Sequence, residues 1–371
     1  MIARQSPHHM LAFTRGSCQP QRHGGTERGF RELQPAPPSL CGSVAYFLRV
    51  LCVLRGGACA AAIVLGLLAA ACSNRSAART TIAVIPKGQA HVFWQAVRAG
   101  AQRAASEEHV EMIWTAPATE TDLTGQANII EDFVNRRVDA IVLAPSHRKA
   151  LVPAATRAVS AGIPVVVIDS GMDFDQQVSF IATDNRHGGV LAARRLGELL
   201  KGHGKVAVLG IAAGSGSGLE REGGFQEVMR AEFPGVQIVG YQFTESDRTR
   251  GLTVAEDFLT RFPDLDGLFA SNESSAVGAA RAVTNRGLSG KVRIVGFDSS
   301  SDLIQSVRDG AVDALVVQQP FRMGYEGVRA AVAALKHQPV EKRIDTGTVL
   351  VTRENLDTPE VQRLISPPTE K

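Results

Sequence analysis

From residue 81 onward the sequence alternates short β-branched or apolar runs with stretches of helical periodicity, one pair about every 25 to 30 residues. That alternation leaves few folds open. Strand-like runs cover residues 81–85, 110–114, 140–144, 165–168 and 178–182, and a second series covers 205–210, 237–241, 267–270, 292–296 and 314–317. Between them, apolar residues recur at helical spacing: Phe93, Val97, Ala101 and Ala104, then Leu123, Ala127, Ile130 and Val134. Further faces are expected at Leu191, Arg195 and Leu199, and at Val328, Val332 and Leu335. Strand, helix, strand, repeated, means parallel sheets with helices on both faces. Ten strand candidates exceed one comfortable sheet, and a break near residues 182–189 divides them into two sets of five. The expected fold is α/β, two doubly wound parallel-sheet lobes of similar build.

The balance of 44% hydrophobic and 21% charged residues over 371 positions suits such a globular body. Residues 1–71 hold seven Arg and two Glu, a net of +5, so of the formal +3 the remaining residues 72–371 carry −2. A nucleic-acid partner is not expected, because phosphate binding needs a clustered positive surface.

All five cysteines, Cys18, Cys41, Cys52, Cys59 and Cys72, stand at or before position 72. Cysteine catalysis and cysteine-based zinc sites are thereby excluded from the body. Basic Arg49 and Arg55 precede an uncharged stretch, residues 56–74, which ends in small residues and Cys72. This is the order of an export signal. Leu68-Ala69-Ala70-Ala71-Cys72 resembles a bacterial lipobox, with Leu four residues before the Cys instead of three. The resemblance implies lipidation of Cys72; an uncleaved anchor helix and ordinary secretion are the alternatives. Residues 1–47 are expected to be an unstructured leader or a start assigned too far upstream, 48–71 the signal peptide and 72–80 a tether.

In doubly wound sheets ligands bind where the loops gather at the carboxyl ends of the strands. Those loops carry His91, Phe93 and Trp94 after the first strand, and Asp169-Ser170 after the fourth. In the second set they carry Arg221, Asn272-Glu273, Asp298 and Gln318. Fixed donors and acceptors beside aromatic faces suit a polyhydroxylated ligand. Duller roles stand beside these: Phe93 or Trp94 in the core, Asp298 capping the helix near Ser301, and Asn272 in a turn.

Phe93-Trp94 with Val97 and Gly100-Ala101 begins a series that continues with Ile163-Pro164-Val165 running to Asp169. Ala182-Thr183-Asp184-Asn185 with Gly188-Gly189, Arg221 before Gly224-Phe225, and Asn272-Glu273 with Gly278-Ala279 follow in order. The series ends at Val295-Gly296-Phe297-Asp298 and Gln318-Gln319-Pro320. Over residues 81–351 these pieces resemble the periplasmic binding proteins of the ribose-binding type, which share their fold with the ligand-binding core of lactose-repressor-like regulators. The resemblance implies two lobes joined by three crossings and closing on one sugar, with Phe93 and Trp94 as an aromatic clamp and His91 just before it. It puts polar ligands at Asp169, Arg221, Asn272, Asp298 and Gln318, with Ser170 beside them, and a hinge at Asp184 and Asn185. Ser170 stands where the family often has Arg, and Ser246 where it has an aromatic residue. Both departures point to a ligand other than ribose.

The expected first lobe is residues 81–183 plus 319–347 and the second 184–318 plus 348–360, leaving 361–371 as a tail. Gly214-Ser215-Gly216-Ser217-Gly218 fails the dinucleotide spacing, because Leu219 stands where the third Gly is required, and it reads as a flexible ligand-facing loop. Walker and nucleophile-elbow patterns are absent, and the body has no His pair at metal-ligand spacing. No enzyme, cofactor or metal is therefore expected. The resulting expectation is a monomeric, lipid-anchored receptor that delivers a sugar or polyol to an ABC permease in the inner membrane. The alternative is a receptor that presents its ligand to a membrane sensor. A transcription factor would need a helix-turn-helix where the export signal stands.

Overall fold

The computed structural model describes residues 79–89 and 91–365. The expected leader, signal peptide, Cys72 and most of the tether lie outside the described residues. One half of the fold contains β1 (Thr81–Ile85), α1 (Val92–Glu107), β2 (Glu111–Trp114), α2 (Leu123–Arg136), β3 (Ala140–Leu143), α3 (Val152–Ser160), β4 (Val165–Ile168) and β5 (Phe180–Ala182). The chain then crosses to α4 (Asn185–Leu199), β6 (His203–Gly210), α5 (Gly216–Glu232), β7 (Gly235–Phe243), α6 (Arg248–Arg261) and β8 (Gly267–Ala270). That half continues through α7 (Glu273–Asn285), β9 (Arg293–Phe297), α8 (Ser301–Asp309) and β10 (Ala314–Gln318). α9 (Pro320–Leu335) and β11 (Arg343–Asp345) return to the first half, and β12 (Thr348–Thr352) and α10 (Pro359–Ile365) complete the second.

The sheet orders are β11-β5-β4-β3-β1-β2 and β12-β10-β9-β8-β6-β7. Every pairing is parallel except β12 against β10. Each lobe thus has six strands where five were expected. The sixth comes from the return crossing, where Gly347 takes a φ of +81° between β11 and β12.

Alternation along each central strand builds a core on both sheet faces. In β1, Ile82 and Val84 face Val97 of α1 and Val328 of α9, whereas Ala83 and Ile85 face Ile130 and Phe133 of α2. In β6, Val206 and Val208 meet Leu196 of α4 and Phe225 of α5, while Ala207 and Leu209 meet Phe258 of α6 and Val277 of α7. Asp122, Asp184, Ser215, Asp247, Asn272 and Ser300 cap helices, each side chain accepting a backbone N–H three residues on.

Three expectations need correction. The buried face of α4 is Gly188, Gly189, Ala192, Ala193, Leu196 and Gly197, with Leu191, Arg195 and Leu199 only half-buried. Small residues there let α4 lie directly on α5: a Cβ on Gly189 would fall 2.0 Å from the Arg221 carbonyl oxygen. Gly216, Ser217 and Gly218 form the buried first turn of α5 and are not a flexible loop. The expected tail begins inside α10, where Val361 is buried against the second lobe.

Candidate binding site between the lobes

β4 and β9 occupy matching places in the two sheets, and each ends in an aspartate with left-handed backbone: Asp169 at φ 63° and Asp298 at φ 67°. Asp tolerates this region better than most residues, and such strain gathers at functional sites. Each amide still donates across its sheet, Asp169 to the Ile181 carbonyl at 3.0 Å and Asp298 to that of Val316 at 2.9 Å. The strand ends are therefore held while the carboxylates turn inward.

Both sheets open by their carboxyl ends onto a small cavity of about 30 Å³, its walls drawn together by contacts across the cleft. Lys87, His91, Phe93, Trp94, Glu120 and Asp169 line it from the first lobe, and Ile211, Ser217, Arg221, Asn272, Glu273 and Asp298 from the second, with Gln318 at the second crossing. Lys87 Nζ donates to Asp169 Oδ2 at 2.7 Å, Ser170 Oγ at 2.5 Å and, across the cleft, Ser217 Oγ at 3.2 Å. His91 pairs through Nδ1 with Glu120 Oε1 at 3.1 Å and through Nε2 with Ser274 Oγ of the second lobe at 3.0 Å. Trp94 Nε1 donates to the same Glu120 oxygen at 2.6 Å, and Phe93 meets the Trp94 ring edge-on at 89°.

Across the cleft, Arg221 donates through Nε to Asn185 Oδ1 at 2.8 Å and through Nη1 to the Ser271 carbonyl at 2.9 Å. Its guanidinium lies 4.1 Å from the Phe297 ring centroid, and Phe297 in turn meets Phe269, which stacks on Phe225. Asn272 Oδ1 caps α7 through Ser275 N–H at 3.0 Å, and its Nδ2 donates to Ser246 Oγ at 3.0 Å. Gln318 Nε2 donates to Asp298 Oδ1 at 2.6 Å, whereas its buried Oε1 has no protein partner. A buried acceptor without a donor costs about 1–3 kcal/mol, which a ligand hydroxyl would recover.

Three carboxylates here are ion-paired, Asp169 with Lys87, Glu120 with His91 and Glu273 with Arg248, while Asp298 feels the charge of Arg221 without pairing to it. Burial disfavours charge on Glu120, yet His91, Lys87 and Trp94 outweigh it and hold the carboxyl at about 2. Burial also opposes charge on His91, but Glu120 and then Glu273 raise its pKa above the ordinary 6.5. For Asp298 burial dominates and pushes the pKa up, against the pull of Arg221 and the Gln318 amide.

Of the residues singled out in the sequence, His91, Phe93, Trp94, Asp169, Arg221, Asn272, Asp298 and Gln318 all line this cavity. Ser170 is fully buried behind it, holding Lys87 and Asp169 in register. Asp298 does not cap α8, a role that belongs to Ser300. Asp184 caps α4, and Asn185 joins Arg221 to the Asp169 carbonyl. Lys87, Glu120, Ser217, Ile211 and Glu273 were not singled out as site residues. Lys87 and Glu273 stood inside loops already marked, and a buried charge at a strand end was the available signal.

A family model for the periplasmic binding protein domain matches residues 82–339. The chain belongs to the periplasmic binding protein family. The resemblance carried by the seven sequence pieces holds, as does the two-lobed α/β fold. Relatives in this family include the ribose import binding protein of Bacillus subtilis, 31% identical over 261 residues, 70% of this chain and 83% of the relative. The D-ribose/D-allose-binding protein of Pseudomonas aeruginosa is 33% identical over 286 residues, 73% of this chain and 88% of the relative. Among solved structures, an ABC transporter solute binding protein of Agrobacterium vitis with bound D-fucose is 41% identical, with a TM-score of 0.75 over 77% of this chain and 99% of that one. A carbohydrate transporter solute binding protein of Agrobacterium radiobacter in complex with D-arabinose is 36% identical, with a TM-score of 0.77 over 78% of this chain and all of that one. Members of this family bind substrates and are not enzymes, and the chain is a binding protein of the periplasm or cell envelope.

Proposed function

We propose that the protein is the solute-binding subunit of an ABC importer and holds one neutral monosaccharide or related polyol between its lobes. The charge pairing around the cavity carries this reading. With Asp169, Glu120 and Glu273 ion-paired and Arg221 set beside the buried Asp298, an anionic sugar acid or sugar phosphate would face four carboxylates, whereas hydroxyls find oriented donors and acceptors. Gln318 Oε1, the carboxylates of Asp169 and Asp298 and the guanidinium of Arg221 supply the polar contacts. Phe93 and Trp94 supply an aromatic surface for the C–H faces, and His91 and Asn272 complete the wall.

The lobes comprise residues 81–183 with 319–347 and 184–318 with 348–360, the second continuing into α10. They hinge where Asp184 and Asn185 leave β5. The chain is exported by residues 48–71, anchored through lipid on Cys72, and works as a monomer that presents its closed form to an inner-membrane permease. The small side chains at Ser170 and Ser246 separate its ligand from ribose. Heating the purified protein with D-ribose, D-allose, D-arabinose, D-fucose, D-tagatose and xylitol in turn should single out one ligand that raises Tm in proportion to the logarithm of its concentration. No shift with any of them would count against the proposal. Cys72→Ser should abolish incorporation of a fatty-acid probe, and persisting label would place the lipid elsewhere.

A further inference from the structure

Phe93, Asp298 and Gln318 line the small cavity, and the same three side chains line a larger groove of about 310 Å³ beside it. The groove runs between the start of α1, with Val92 and Ala96, and the start of α8, with Ser299, Ser300, Ser301 and Ile304; Leu364 and Ile365 of α10 complete it. Its walls therefore belong to both lobes, as those of the cavity do. Val92 is 45% exposed, an apolar side chain left at the rim.

We propose that the groove is the second half of the ligand site and takes the apolar substituent of a glycoside whose sugar ring occupies the cavity. The inference rests on the sugar-binding function proposed above. Continuity is what commits the groove to this occupant, because a ring held by Asp298 and Gln318 lies against the residues that open into it. The wall chemistry agrees: Val92, Ala96, Ile304 and Leu364 offer an apolar surface for an alkyl or aryl group, and three consecutive serines offer hydroxyls at its sugar end.

Titration calorimetry on the purified protein tests this with the sugar that binds best and with both anomers of its methyl, butyl and phenyl glycosides. One anomer of the butyl or phenyl glycoside is expected to bind at least as tightly as the free sugar. Trp substitutions at Val92 and Ser301, which line only the groove and stand on opposite walls, should weaken that glycoside at least tenfold while changing the free sugar less than twofold. Their unchanged binding of the free sugar also reports that both variants are folded. A free sugar that binds while every glycoside binds 100-fold more weakly would overturn this inference and leave the proposed function intact. Failure of all free sugars would overturn both. Glycoside binding that appears only after residues 366–371 are deleted would give the groove to the chain's own C-terminus and likewise overturn it.

Discussion

Glu120 and His91 form a pH-sensitive pair in the wall of the site. On folding, the Glu120 carboxyl drops from 4.5 to about 2, and the His91 pKa rises above 6.5. A carboxyl lowered by folding adds stability above pH 4.5 that is lost as the pH falls toward about 2. An imidazole raised by folding adds stability below pH 6.5 that is lost as the pH climbs past its raised value. The pair therefore supports the fold most between 4.5 and 6.5. Glu120→Gln should lower Tm most within that window, flatten its fall on either side and lower the His91 pKa, as followed by proton NMR of the ring. An unchanged His91 titration would contradict the pairing. At this scale the sequence was legible where a polar residue directly follows a strand, as Asp169 and Asp298 do. It was silent on Glu120, whose loop carries no motif, and it put Lys87 in the loop after the first strand without showing its partner Ser170, 83 residues away.

Helix contacts made by glycine carry the site between elements. α4 and α5 touch through Gly189 and the Arg221 carbonyl, and α1 and α9 touch through Gly100, whose Cβ would fall 1.9 Å from the Phe321 carbonyl oxygen. Gly189→Ala should cost about 1–3 kcal/mol of stability by overpacking, and it should also weaken sugar binding because α5 carries Arg221. Gly287→Ala is the control, since φ there is +66° but no atom lies within 4 Å of the added methyl. It should lower Tm through backbone strain alone and leave sugar affinity unchanged. Equal affinity losses in both variants, read by calorimetry alongside thermal melts, would dissociate the helix contact from the site. Glycine gives no hydrophobic signal and alanine a weaker one than leucine, which explains why the buried face of α4 was misplaced on Leu191, Arg195 and Leu199. β11 was missed because it has three residues, two of them charged; β12, Thr-Val-Leu-Val-Thr, carried a β-branched pattern that could have been found.

At the scale of the whole molecule, the cleft is spanned by contacts that neither lobe makes alone. His91 reaches Ser274, Lys87 and Ser170 reach Ser217, and the Arg148 amide donates to the Gly214 carbonyl at 2.8 Å. Behind them the three crossings lie together: the Thr346 amide donates to the Ala182 carbonyl at 3.2 Å, and Arg343 spans the Phe180, Ala182 and Thr183 carbonyls. Thr348 Oγ1 ties the third crossing to β10 through the Val317 carbonyl at 2.9 Å. Division into two lobes was legible from the strand count, whereas these ties join residues far apart in the chain and appear only once it has folded. Such an arrangement lets one small ligand, touching both lobes, favour the closed form by its differential contacts. The central claim is that this ligand is neutral and held by Asp298. Calorimetry of the wild-type protein and Asp298→Ala against neutral sugars, a uronic acid and a sugar phosphate tests it most directly. One neutral sugar should bind the wild type at one site per chain, and Asp298→Ala should lose about 2 kcal/mol or more, roughly 30-fold, while circular dichroism stays unchanged. Preference for the uronic acid or the phosphate, or equal affinity in both proteins, would contradict it.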